Sequence, residues 1–427
     1  MVEIRPFRAI TYTEKAGDPK NLITQPYDKI DTDMQKAYYE KSVYNYCRLI
    51  LPTENNKYEI AKERIKKWLK EGILSKEQEA AVFVSRQEFR LSGKTFSRTG
   101  LIAAVKLYPY NESVVFPHEV TYGEPKADRL NMMRAVEKDL EPVFLIYSDP
   151  ENVTVNFFAE ITRSKPAIEL EDSFGVNHVI WKVSSSHKIN LIKKYMENRK
   201  LVITDGHHRY ESAIAYRDER RKKEKWTEDS AFNFHMCYMV PIQDQGLVVL
   251  PTHRLLKEYK LTNEILEKIA AFFKISELNS TMKTLVTFLE THAYEHAFVI
   301  YDGVAAHGLT LKSERIASQL INVNSCYPQE AFFSDVTILR DIIFQHIMKV
   351  GKLRIDEDIL YAGSISAALE KVDNRQADVA FLVNATNPQT VWQIAQRNRR
   401  LPEKSTDFYP KPVSGLLMMD IQSKEKL

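Results

Sequence analysis

The stretch Leu201-Val202-Ile203-Thr204-Asp205-Gly206-His207-His208-Arg209-Tyr210-Glu211-Ser212-Ala213 constrains the fold more than any other part of the chain. It opens with a short apolar run, the pattern of a buried strand, and turns at Gly206. Tyr210, Ala213 and Ile214 then fall at the spacing of one helix face. A strand-to-helix turn aims backbone N–H groups and the positive end of the helix dipole at whatever lies above it. His207, His208 and Arg209 add side-chain donors at the same place, so the turn suits an anion, phosphate above all. Asp205 opposes a bare anion there and suits a cation or a protonated imidazole between the two.

The rest of the chain alternates short strands and helices, which predicts a mixed α/β protein. Periodicity places a helix over 58–74, strands over 80–89, 99–108 and 142–147, and a cationic helix from Pro125 through Lys126, Asp128, Arg129 and Arg134. Gln25-Pro26-Tyr27-Asp28 reads as a turn, because a residue before proline avoids the helical region. Strands follow over 232–240, 247–250, 297–301, 307–311 and 377–383. A long helix is predicted over 334–350, with Val336, Leu339, Ile343 and Ile347 on one stripe. Pro388 opens a further helix at its first position, where the missing N–H costs nothing. The charge run from Arg217 to Lys225 mixes signs and lacks aromatics, so it reads as a solvated helix end. With 427 residues there is length for two or three cored domains. The reading divides it into an N-terminal α/β segment (1–150), a central unit carrying the box (151–260) and a C-terminal α/β segment (261–427).

Composition narrows the functional classes. The apolar fraction of 44% and charged fraction of 27% are those of a water-soluble globular chain. A formal net charge of +3 is small for this length and argues against a dedicated nucleic-acid surface. Cys47, Cys237 and Cys326 are odd in number and form no Cys-x-x-Cys pair, which points to a reducing compartment without structural zinc. The opening residues have no apolar signal core and no run reaches the length of a membrane span, so a cytoplasmic location with no membrane partner is expected.

Asp205-Gly206-His207-His208-Arg209 resembles the Gly-x-His-Arg box of the ParB/sulfiredoxin superfamily, and most closely the form found in its free-serine kinases. His207 stands where sulfiredoxins carry cysteine, so their thiol chemistry is not implied. Over nearly the whole chain the sequence also resembles the family called domain of unknown function 1015. The matching segments are Arg5-Pro6-Phe7-Arg8, Gln25-Pro26-Tyr27-Asp28, His118-Glu119, Lys126-Ala127-Asp128-Arg129-Leu130, Thr204 to Glu211, Leu250-Pro251-Thr252-His253-Arg254, Pro402 to Thr406 and Phe408-Tyr409-Pro410-Lys411. Asp407 departs from that pattern, where a larger or neutral residue is expected. The resemblance implies a ParB/sulfiredoxin-like central unit in which the box is a phosphate cradle for a nucleotide.

These segments suggest one composite cleft of cations and carboxylates, the mixture that phosphoryl transfer needs. Glu119, Asp205, His207 and His208 are the candidate catalytic residues, with Glu119 as base. Lys126, Arg129, Arg134, Gly206, Arg209, His253, Arg254, Lys404, Ser405 and Thr406 are candidate phosphate or nucleotide contacts, with His118 in the same cleft. Asp128 and Asp205 are candidate magnesium ligands. The expected activity is phosphoryl transfer on a small hydroxyl compound related to serine or phosphoserine, in the kinase or phosphatase direction, with Mg2+ and a nucleotide such as ATP or ADP. Two other classes stay open. One is a ParB-like nucleotide-sensing regulator. The other is a metal-dependent hydrolase, with zinc on His207, Glu211 and either His118 or His253.

Overall fold

A computed structural model of the protein describes residues 1–119, 123–320, 334–350, 358–402 and 404–427. Cys326 and Glu403, both used in the sequence reading, lie outside them. The chain forms a mixed α/β fold and divides into two compact units. One comprises Met1–Pro117, Thr121–Val248 and Pro410–Leu427; the other comprises His118–Val120 and Val249–Tyr409.

The first unit is built on a nine-stranded mixed sheet. Val143–Tyr147, third along the sheet from one edge, is a run of five apolar residues that are all buried. A strand covered on both faces reads as a continuous apolar run, as this one does. Phe234–Pro241 runs parallel beside it, and Leu201–Asp205 runs antiparallel on its other side. The sheet continues through the long hairpin Val82–Leu91 and Lys94–Lys106, then Asn177–Val183, and ends at Ile168–Glu171. A four-stranded sheet joins Leu74–Lys76, Ala9–Tyr12, Met418–Asp420 and Lys138–Asp139, so residues from both ends of the sequence meet. Helices Lys57–Lys70 and Gly123–Val136 bury Ile65, Trp68, Met132 and Val136 in a common core. The helix His207–Lys223 packs on Gly123–Val136. Arg217, assigned above to a solvated run, is instead buried and donates to the Leu107 carbonyl oxygen at 2.6 Å. Its long apolar stem allows the burial while the head finds an acceptor.

The second unit carries a six-stranded antiparallel sheet in the order Phe273–Leu278, Ala306–Leu311, Ala297–Tyr301, Val379–Val383, His253–Leu256, Ile359–Ala362. Leu256, Phe298 and Phe381 belong to one core layer with Ile338 to Ile347, while Leu255, Val299 and Leu382 belong to another with Leu285, Leu289, Ala368 and Val372. Alternate residues of the strands therefore feed opposite layers, as the strand period of two requires. The helix foreseen over 334–350 differs in kind. Asp335–Ile338 is one α-helical turn, and Leu339–Ile347 continues as π-helix, with the Met348 N–H bonded to the Ile343 carbonyl. The wider turn lets Leu339, Ile342, Ile343, Phe344 and Ile347 all be buried.

Gly100 lies in the hairpin strand Lys94–Lys106, and a Cβ there would sit 2.5 Å from the Met239 carbonyl oxygen. Backbone cannot yield as a side chain does. Gly100→Ala should therefore destabilise the protein by about 1–3 kcal/mol in urea denaturation; an unchanged midpoint would contradict this packing.

Candidate functional site

The box forms the strand-turn-helix that its sequence implies. Leu201–Asp205 ends in an acid, Gly206 takes φ +88°, and His207–Lys223 begins at once. Glycine is required twice over. The left-handed φ disfavours any side chain, and a Cβ on Gly206 would lie 2.9 Å from Arg209 Nε. Arg209 folds back beneath that turn. Its Nη2 reaches Asp205 Oδ2 at 2.5 Å and its Nη1 donates to the Pro142 carbonyl oxygen. Lys411 Nζ meets the other carboxylate oxygen of Asp205 at 2.9 Å. All three residues are buried. Burial works to raise the pKa of Asp205, but Lys411, Arg209 and Lys29 outweigh it and hold the carboxyl well below its usual range. Burial likewise opposes the charge on Arg209, and Asp205, Glu141 and Asp28 more than restore it.

A second layer of charge surrounds this pair. The Arg129 guanidinium lies 4.0 Å from the ring centre of Tyr27 and 3.7 Å from Glu141. Glu141 also accepts from the Tyr27 N–H at 3.0 Å and from Ser414 Oγ at 2.9 Å. Asp128 accepts from Lys57 Nζ (2.6 Å), Tyr58 Oη (2.8 Å) and Arg129 Nε (3.0 Å). Burial pushes its carboxyl up, yet Arg129, Lys57 and Tyr58 lower it to about 2. Arg98 is fully buried, with its guanidinium 4.6 Å from the ring centre of Phe144, and it donates to Gln87 and to the Pro410 carbonyl. Gln87 in turn donates to the Lys411 carbonyl at 3.2 Å, which fixes the backbone that delivers Lys411. Segments 25–28, 126–130, 205–209 and 410–411, far apart in sequence, thus converge within the first unit.

The remaining candidates of this unit divide into two groups. His207 and His208 are half-buried in the first turn of the helix, and each has protein contacts. Lys126 Nζ pairs with Glu211 Oε2 at 2.9 Å, and Tyr110 Oη donates to Glu211 at 3.3 Å. Arg134 turns outward to an exposed pair with Glu219. In the second unit, His118 Nε2 lies 2.7 Å from Thr406 Oγ1 and 3.4 Å from Glu119 Oε1. Glu119 Oε1 also accepts from the Ser405 N–H at 3.2 Å. Arg254 donates to the carbonyls of Thr252 (2.6 Å) and Lys404 (3.1 Å), so it anchors the 404–406 loop. His253 and Arg254 are successive strand residues and leave opposite faces of the sheet.

Asp128 and Asp205 do not fit magnesium as protein ligands, because both oxygens of each carboxylate already face cations. Among the described residues no group of three or more His, Cys, Asp or Glu is placed to hold a metal ion. The zinc arrangement on His207 and Glu211 finds no support there either. No helix among the described residues is long and apolar enough to cross a membrane.

A mixed α/β protein whose glycine-led helix start stands over a buried ion network is thus the class that fold and site define. The chain belongs to the family described as protein of unknown function DUF1015, whose sequence profile matches residues 4–329. A comparison with curated proteins finds no match. Similar solved structures include a conserved hypothetical protein from Pyrococcus furiosus, at 12% identity and a TM-score of 0.34, over 77% of this chain and 97% of that one. A free serine kinase in complex with AMP shows 12% identity and a TM-score of 0.36 over 77% and 93%. SbnI with a C-terminal truncation, from Staphylococcus aureus, shows 10% identity and a TM-score of 0.36 over 75% and 90%. Likenesses this distant carry no argument about fold or activity.

Sequence reading missed Lys411, Glu141, Tyr27 and Arg98 as members of the network. Lys411 and Tyr27 lie in the family segments, which was the available signal. Two predictions follow from the charges. Arg209→Met removes one of the cations that hold the buried Asp205 ionised, and should cost about 3 kcal/mol in urea denaturation; a loss below about 1 kcal/mol would show that the pair is not a support. The folded pKa of Asp128 lies below its unfolded value. Its contribution is therefore complete above about pH 5 and is lost as pH falls through 2. With solvent screening at this half-buried carboxylate, Asp128→Asn should cost about 1–2 kcal/mol at pH 7, with the gap to wild type closing near about pH 2. A gap independent of pH would refute the assignment.

Proposed function

We propose that the start of the helix His207–Lys223 is a phosphate cradle, and that the protein binds a nucleotide or phosphate ester there for phosphoryl transfer on a small hydroxyl compound of serine or phosphoserine type. One observation carries the reading. The left-handed turn at Gly206 ends the strand Leu201–Asp205 and opens the helix His207–Lys223 without a side-chain cap, above the buried Arg209 and Lys411 that Asp205, Glu141 and Asp28 offset in part. An uncapped helix N-terminus favours an anion. The resemblance of Asp205-Gly206-His207-His208-Arg209 to the free-serine-kinase box supports the same ligand. With Arg209 committed to Asp205, the proposed phosphate contacts are His207, His208 and the first-turn N–H groups.

In the transfer, a bond forms between the acceptor hydroxyl oxygen and phosphorus. The bond from phosphorus to the leaving phosphate oxygen breaks, and the hydroxyl proton passes to a base. Asp205 is a poor base, since two cations hold it ionised. Magnesium, when supplied with a nucleotide, would offset phosphate charge.

Calorimetry with ADP, ATP and phosphoserine, with and without magnesium, tests the cradle. His207→Ala and His208→Ala should each weaken binding about tenfold or more, as expected for a lost hydrogen bond to a charged group. Unchanged affinity in both folded variants would remove the box from the mechanism. Binding without turnover in the wild type would favour a nucleotide sensor.

A further inference from the structure

His296 stands in the second unit between the helix Met282–Thr291 and the strand Ala297–Tyr301, and takes φ +49°. A side chain in the left-handed region is uncommon, and histidine is among the residues found there most often. Both of its ring nitrogens face carboxylates. Nδ1 lies 2.7 Å from Asp335 Oδ1, and Nε2 lies 3.4 Å from Glu314 Oε1. The side chains of His296 and Asp335 are 19% and 17% exposed, whereas that of Glu314 is 68% exposed.

A neutral imidazole has one N–H and one lone pair, and only the imidazolium has an N–H on each nitrogen. The Nδ1–H serves Asp335 in either state. Nε2 offers Glu314 a proton only when the ring is charged. In the neutral ring its lone pair meets carboxylate oxygen, a contact that an exposed side chain leaves by rotating. The bond to Asp335 is thus permanent and the one to Glu314 conditional. The other charged groups nearby are engaged or turned out. His292 Nδ1 faces the Phe288 carbonyl at 2.9 Å, Lys312 Nζ donates to the Ala270 carbonyl at 2.5 Å, and Glu295 is exposed. Burial opposes the charge on the His296 ring, but Asp335 and Glu314 outweigh it and raise its pKa above the ordinary histidine value.

The two carboxylates each open a helix. Glu314 is the first residue of Glu314–Leu320, whose Ala317 is buried in the same core as Ile338 to Ile347. Asp335 is the first residue of Asp335–Ile338, which runs on into the π-helix Leu339–Ile347. Ser334 caps that start by accepting the Thr337 N–H at 3.2 Å. His296 therefore joins two neighbouring helix starts that pack on one core.

We propose that His296 is a proton-operated latch: with both nitrogens protonated it ties the helix starts at Glu314 and Asp335 together, and on losing a proton it releases Glu314 while keeping Asp335. A group whose folded pKa is raised stabilises fully below its unfolded value, and loses that contribution as pH rises through the folded one. The latch is closed below about pH 6.5 and opens as pH rises through the folded value of His296.

The test uses the full-length protein. The carbon-bound imidazole protons of His296, assigned by their loss in His296→Gln, are followed by NMR from about pH 5 to about pH 9. Their midpoint should lie above about 6.5. Glu314→Gln and Asp335→Asn should each lower it, Asp335→Asn the more. Backbone hydrogen exchange of Glu314–Leu320, corrected for the chemical effect of pH, should speed about two- to fivefold across that midpoint, the range of one partly exposed ion pair. In His296→Gln it should be fast already at about pH 6 and stay flat. A midpoint at or below about 6.5, a midpoint unmoved in Glu314→Gln, exchange indifferent to pH in the wild type, or the wild-type pH response in His296→Gln would each overturn the latch. Should His296→Gln not fold, the wild-type midpoint and its response to the exposed Glu314→Gln still decide.

Discussion

Asp205 is a carboxylate buried between Arg209 and Lys411, and the geometry of the first unit depends on it. An isolated charge at that depth is prohibitively costly. The cost is met by bringing a helix start, a sheet strand and the segment at Pro410–Lys411 to one point. Arg209 can reach Asp205 only because residue 206 has no side chain. Lys411 is delivered by backbone that Gln87 and Arg98 hold through the carbonyls of Lys411 and Pro410. Two guanidiniums and a lysine thus serve as internal struts, although in sequence they look like free cations.

The same network decides which groups are left for chemistry. Cations already committed to carboxylates add potential at the turn but no donors. In the proposed cradle the donors are His207, His208 and the first turn of backbone. In the second unit a comparable economy appears around Glu119, whose oxygen takes the Ser405 N–H and lies beside His118. Arg254 donates to the carbonyls of Thr252 and Lys404.

The strand-turn-helix at 201–223 was legible because three local signals agree: an apolar run, a glycine and helical spacing. Most other elements were legible for the same reason, including Pro388–Gln396 with its N1 proline. The π-helix at Leu339–Ile347 was not, since spacings of three and four satisfy an α-helical stripe equally well. The role of Arg209 was not legible either. Sequence shows a guanidinium at a phosphate-like turn, but not that its flexible stem folds under the glycine. Glu141 joins through tertiary packing alone, and nothing in its immediate sequence context marks it.

A crystal structure of the full-length protein with ADP tests the central claim most directly. The account predicts a phosphate oxygen about 3 Å from the backbone N–H groups or imidazoles of His207 and His208, with Arg209 and Lys411 still on Asp205. A phosphate bound elsewhere, or one that draws Arg209 away from Asp205, would contradict it.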